Sequence, residues 1–175
     1  MIKNLIIVIL IVLVAVFGVV VFSKEGTTPG TNNTSNTQSS ESTPSSKTSS
    51  GKTVDLSNKG LKQVASSVFE DTQTGALDVS NNQLTGALPG ELRKLRNLEV
   101  LDASDNNLTG IPAEIGQLSK LRTANFANND ISGLPLEIGN LSSLETLDLR
   151  GNPNVSSYDL GLIRSKIPNA NILVD

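Results

Sequence analysis

The sequence predicts an α/β repeat solenoid of about five coils, in which short strands stack side by side into one parallel sheet. Three observations predict it. Beyond residue 53 one unit returns with starts near 54, 77, 101, 124 and 147, a period of 23 or 24 residues. Each start alternates apolar and polar residues with period two, as in Leu77-Asp78-Val79-Ser80 and Leu101-Asp102-Ala103-Ser104. The rest of each unit places apolar residues three or four apart, as in Leu108, Ile111, Ile115, Leu118 and Leu121. A single coil of this kind cannot enclose its apolar side chains, so a core forms only when coils stack.

Taken in order, the chain begins with a short tail, residues 1–4. From Leu5 to Phe22 there is no charged or strongly polar side chain. A helix over that run would reach ~27 Å, close to the ~30 Å hydrocarbon core, so residues 5–22 are expected to form a transmembrane signal anchor contacting the lipid bilayer. A cleaved signal peptide ending at Ser23 is the alternative, disfavoured by the length of the run and by the lack of a small-residue cleavage motif. Lys3 ahead of the run favours a cytoplasmic N-terminus and an extracytoplasmic remainder. Residues 23–52 are more than half Ser and Thr. Such a segment has too few apolar groups to offset its ordering entropy, and a disordered linker is expected, spanning roughly 30 Å. Asn32, Asn33, Asn107, Asn140 and Asn154 begin N-x-S/T sequons.

The repeat domain is expected over 53–175. Its clearest units are Leu77-Asp-Val-Ser-Asn-Asn-Gln-Leu84 and Leu101-Asp-Ala-Ser-Asp-Asn-Asn-Leu108, with looser copies at Val54, Ala124 and Leu147 and a closing fragment at Ala170. The pattern L-x-L-x-x-N-x-L resembles the leucine-rich repeat family over about 120 residues. Leu84-Thr-Gly-Ala-Leu-Pro89, Leu108-Thr-Gly-Ile-Pro112 and Ile131-Ser-Gly-Leu-Pro135 are similar to the variant with an L-T-G-x-I-P turn. The resemblance implies a curved horseshoe with its parallel sheet on the concave side. The family's usual cysteine-rich caps are missing, which suggests a bacterial-type surface protein.

Asn82, Asn106, Asn129 and Asn152 hold the sixth place of their units, where the strand ends. An inward amide there can satisfy backbone groups of two coils, so these four form a structural ladder. Gly86, Gly110 and Gly133 are expected to supply permissive φ in the turns. At the start of the domain Lys59 replaces the ladder Asn, and Asp71 and Thr74 stand where later coils have Leu118 and Leu121, the marks of a frayed polar cap. At its end, from about residue 156, Tyr158–Arg164 reads as a short helix and Ile167–Val174 as a final edge strand.

Composition narrows the chemistry. With no His and no Cys, nucleophilic Ser/His/Asp or Cys/His machinery and the common zinc sites are closed. A net charge of −3 offers no basic field for nucleic acid. No cofactor, metal site or catalytic residue is expected. The candidate binding residues are those on the outward strand positions: Asp78, Ser80, Val100, Asp102, Ser104, Asp105, Thr123, Asn125, Asn128, Asp148 and Arg150. Asp55, Asp78, Asp102, Asn125, Asp148 and Asn171 are expected to form one column, in which neighbouring carboxylates ~4.8 Å apart invite a basic protein or peptide. The plain alternative is that water and local hydroxyls such as Ser80 and Ser104 solvate the Asp row. The face covers only a few hundred Å², below the ~800 Å² per partner of a standard interface, so binding there is expected to be weak or helped by the rims. Arg93, Lys94 and Arg96 offer a lesser candidate surface for anionic polymer. A non-catalytic, membrane-tethered protein-binding module is the function expected, ahead of a structural spacer or adhesive element, and well ahead of a carboxylate-based enzyme.

Overall fold

The alternation at each unit start becomes one strand of a single parallel sheet in the computed structural model, which describes residues 51–175. The strands of this sheet are β1 (Lys52–Asp55), β2 (Thr74–Asp78), β4 (Val100–Asp102), β6 (Thr123–Asn125), β7 (Thr146–Asp148) and β8 (Asn171–Leu173), lying in chain order. A second parallel pair joins β3 (Thr85–Gly86) to β5 (Asn107–Leu108) in the T-G turn segments. The expectations for residues 1–50, the anchor and nearly all of the linker, lie outside the described residues. Lys52, counted above with the linker, already stands in β1. Among the described residues no helix is long and apolar enough to cross a membrane.

Register follows the repeat: Val54, Leu77, Leu101, Ala124 and Leu147 lie side by side, as do Asp55, Asp78, Asp102, Asn125 and Asp148. The first row points into the core with the third residues Val79, Ala103, Phe126 and Leu149, all essentially without solvent contact from Leu77 onward. Volume is shared within a coil. The unit with small Ala124 carries the large Phe126 two residues later, and Phe126 lies over small Ala103 of the coil before it.

The return paths are 3₁₀ helices rather than α-helices: η1 (Ser66–Glu70), η2 (Gly90–Lys94), η3 (Ala113–Gln117) and η4 (Leu136–Asn140). Pro89, Pro112 and Pro135 precede the last three with φ of −59°, −70° and −68°, the value the pyrrolidine ring imposes. Phe69, Leu92, Ile115 and Ile138 point inward from the four turns. The glycine of Glu114-Ile-Gly116 permits close stacking, since a Cβ on Gly116 would lie 2.4 Å from the Glu137 carbonyl oxygen of the next coil.

Several local expectations change. Gly86 has φ +73°, whereas Gly110 and Gly133 are not left-handed. The left-handed residue recurs instead at the fifth place of every unit: Asn58, Asn81, Asp105 and Asn128 at +53° to +57°, and Gly151 at +70°. The first coil is not frayed. Val64 and Phe69 fill it, and Thr74 is fully buried with its hydroxyl lacking a hydrogen-bond partner. At the far end α1 (Ser157–Lys166) replaces a five-residue 3₁₀ turn; the Ser156 hydroxyl accepts from the Asp159 N–H at 3.2 Å, and Leu160 and Ile163 close the core. The longer helix delays the last strand by two residues, so Ile172, not Ala170, pairs with Leu147.

Candidate functional site

Each ladder amide does two jobs. Asn106 Nδ2 donates to the carbonyls of Ala103 (3.3 Å) and Ser104 (3.0 Å) in its own bend and of Val79 (3.1 Å) in the coil before, while Oδ1 accepts from Leu84 N–H at 3.0 Å. Asn82, Asn129 and Asn152 repeat this arrangement, and all four are buried. They shape the rim of the sheet face and are closed to ligand.

The Asp column stands where the register puts it, with one correction. Asn171 pairs with Thr146, and Leu173 takes the place beside Asp148, because α1 lengthens the last interval. The carboxylates are already engaged. Asp78 Oδ1 accepts from the Ser80 N–H (2.9 Å) and hydroxyl (2.7 Å), and Asp102 Oδ1 from the Ser104 N–H (3.0 Å) and hydroxyl (2.6 Å). Asn125 closes the same loop onto Ala127 N–H at 3.0 Å, and its Nδ2 donates to Asp102 Oδ2 at 3.1 Å. Side chains two residues apart thus fix the bend at the strand's exit. Ser104 is 7% exposed and Ser80 half-buried, so both serve the loop more than a partner.

Asp148 departs furthest from the expected solvent-facing carboxylate, since it is 9% exposed and both its oxygens are held by the Arg150 guanidinium, Nε donating at 3.0 and 3.2 Å. That hydrogen-bonded guanidinium holds the Asp148 carboxyl below its ordinary range; burial opposes the effect and the Arg150 N–H adds to it. What remains for contact is a set of neighbouring polar edges. Asp105 and Asn128 are exposed and joined by Asn128 Nδ2 to Asp105 Oδ1 at 2.9 Å, while Val100, Thr123, Asn125, Asp78 and Asp102 are half-exposed beside them. The basic cluster is partly occupied: Lys94 pairs with Glu70 at 2.6 Å and Arg93 Nη1 donates to the Gly90 carbonyl at 3.1 Å.

A cleft of about 280 Å³ lies off the sheet face between the first two coils, lined by Lys62, Gln63, Val64, Thr85, Leu88 and Pro89 among others. No sequence expectation above covers this cleft, although the sequence carries its signal: the first unit lacks the T-G-x-L-P wording and Ala87 adds a residue to the second. Among the described residues no three acidic, His or Cys side chains are grouped to hold a metal.

Two leucine-rich repeat family models match the chain, over residues 76–95 and 96–153. A leucine-rich repeat protein of Leptospira interrogans is 37% identical with a TM-score of 0.60, the match covering 64% of this chain and 28% of that one. The plant peptide hormone receptor RGFR1, solved in complex with RGF2, is 31% identical with a TM-score of 0.56, over 70% of this chain and 20% of the receptor. The ectodomain of the Arabidopsis thaliana receptor kinase SOBIR1 is 27% identical with a TM-score of 0.54, over 68% of this chain and 65% of that one. The chain thus spans less than a third of the first two proteins. Comparison with curated proteins gives no match. Period and parallel sheet agree with the matched models, and the units over residues 76–153 are leucine-rich repeats.

Proposed function

We propose that this chain is a non-catalytic recognition module, tethered to a membrane through residues 5–22 and displayed outside the cytoplasm, that binds a protein or peptide on its sheet face. One observation carries the reading. The outward residues Asp102, Asp105, Thr123, Asn125 and Asn128 form a polar grid beside the apolar Val100, held in register by strand pairing and by side-chain bonds from coil to coil. A preorganised grid of donors and acceptors reads an extended peptide without losing further side-chain entropy. The similarity to RGFR1, a peptide hormone receptor solved with RGF2, supports a peptide or protein as the ligand class. Basic character in the partner is favoured by Asp78, Asp102 and Asp105; Asp148 adds little because Arg150 already neutralises it.

Photo-crosslinking in intact cells tests this. A crosslinker replacing Thr123 on the sheet face is compared with one replacing Gln117 on η3, both in the full chain. A discrete adduct in the membrane fraction from position 123 alone is expected. Adducts from position 117 alone, or from neither, would move the assignment to the outer face or to the spacer reading.

A further inference from the structure

The parallel sheet has a directional rule. In each unit the second residue turns its carbonyl toward the preceding coil and accepts the N–H of that coil's third residue: Asp78 from Leu56, Asp102 from Val79, Asn125 from Ala103 and Asp148 from Phe126, each at 2.8 Å. β1 has no strand before it among the described residues, so the same carbonyl on Asp55 points out of the sheet. Lys59 Nζ donates to it at 2.6 Å. At the other end the Leu173 carbonyl accepts from Leu149 N–H at 2.9 Å, which turns the Ile172 carbonyl outward from β8. Arg164 Nη2, from α1, donates to that oxygen at 3.3 Å.

Lys59 holds the sixth place of its unit, where the next four coils carry the ladder Asn. A ladder Asn needs the third carbonyl of a preceding coil, as Asn106 uses Val79, and among the described residues no coil precedes the first. The longer lysine reaches the open edge instead. Arg164 does the equivalent from α1, which among the described coils stands at the last one alone. Two unrelated residues at opposite ends of the domain thus place a cation on the outward carbonyl.

We propose that Lys59 and Arg164 are edge guards, which seal both ends of the sheet against strand addition and keep the chain a single solenoid. An open strand edge is a template for another strand, and a charged donor blocks it because an incoming strand must displace and desolvate the cation. Charge reinforces the block in every pairing. First edge against first edge brings two copies of Lys59 together, last against last two of Arg164, and first against last one of each; all are like-charge contacts. The proposal is independent of what the sheet face binds.

Sedimentation velocity of the full chain in a density-matched detergent tests it, with the unmutated chain as reference. Lys59→Met or Arg164→Met alone should give a species of about twice the reference mass, because one open edge pairs with its own copy about a two-fold axis. The double Met variant should give an open series of larger species, because a first-to-last contact repeats without closing. Lys59→Arg with Arg164→Lys should sediment like the reference. Both residues are exposed, so the core is untouched; a Gln pair at the same positions, checked by circular dichroism, stands in if methionine disturbs α1. A double Met or double Gln variant that stays folded and sediments like the reference at every concentration would overturn the proposal, as would equal association of the Arg/Lys swap.

Discussion

At the residue scale the asparagines divide by a single step in sequence. Asn106 at the sixth place is buried and bonded on four sides, while Asp105 at the fifth is exposed with left-handed φ of +53°. The ladder was legible because one residue type recurred where a strand must end. The left-handed place was not, because Asn, Asp and Gly share it and each tolerates that region, so no single letter repeats. For the second-place Asp residues the sequence offers two roles, a ligand row or carboxylates satisfied by local hydroxyls, and Asp78 and Asp102 take the local one, each accepting from the N–H and the hydroxyl of the serine two residues on. Asn106→Leu keeps approximate volume but strands the buried Leu84 N–H, while the carbonyls of Val79, Ala103 and Ser104 each lose one donor and keep Asn82, Asn129 and the Asn81 N–H, at a cost of about 1–3 kcal/mol. Urea unfolding of the full chain followed by circular dichroism checks this, and a midpoint equal to that of the unmutated chain would refute the buried role.

At the element scale the repeat predicted coil, strand and register from Val54 to Leu147 and then failed at one place. Carrying the period past Leu147 assigns Asn171 to the Asp column, but α1 takes ten residues where earlier coils use a five-residue turn, and Leu173 arrives there instead. Periodicity cannot foresee an element that replaces the repeated one. The first coil shows the converse error, where polar letters suggested fraying although packing overrides them. Thr74 in β2 sits in the row of Leu98, Leu121 and Leu144, fully buried, with its hydroxyl unpaired. A buried hydroxyl without a partner is unfavourable, and valine has nearly the same shape. Thr74→Val should therefore stabilise the domain by about 1 kcal/mol, seen as a higher urea midpoint at unchanged slope. A lower midpoint would mean that the hydroxyl has a partner in solution, such as a bound water.

At the scale of the whole molecule, stability runs along the solenoid from neighbour to neighbour. Side-chain bonds join successive coils: Lys94 to Glu70, Asn125 to Asp102 and Asn128 to Asp105 one period apart, and Asn152 to the Phe126 carbonyl of the coil before. Contacts of this kind make the domain close to a one-dimensional stack, in which an interior unit is exchangeable and an end is not. Residues 101–123 form one full period, and removing them sets Val100 before Ala124 with β2 then facing β6 in the register that β4 now holds. The shortened chain should fold and unfold in one transition, with a lower midpoint and a denaturant slope smaller by about a fifth, since one coil of five no longer buries surface. Removing 157–175 deletes fewer residues, yet it takes away the buried Leu160, Ile163 and Ile172, the last of which pairs with Leu147, along with the guarded last edge. That truncation should leave an aggregating chain without a cooperative transition. Urea unfolding of the two deletions side by side separates the effects of length and capping. If the coil deletion failed to fold while the end truncation folded, stability would reside in the middle of the stack and the nearest-neighbour account would be wrong.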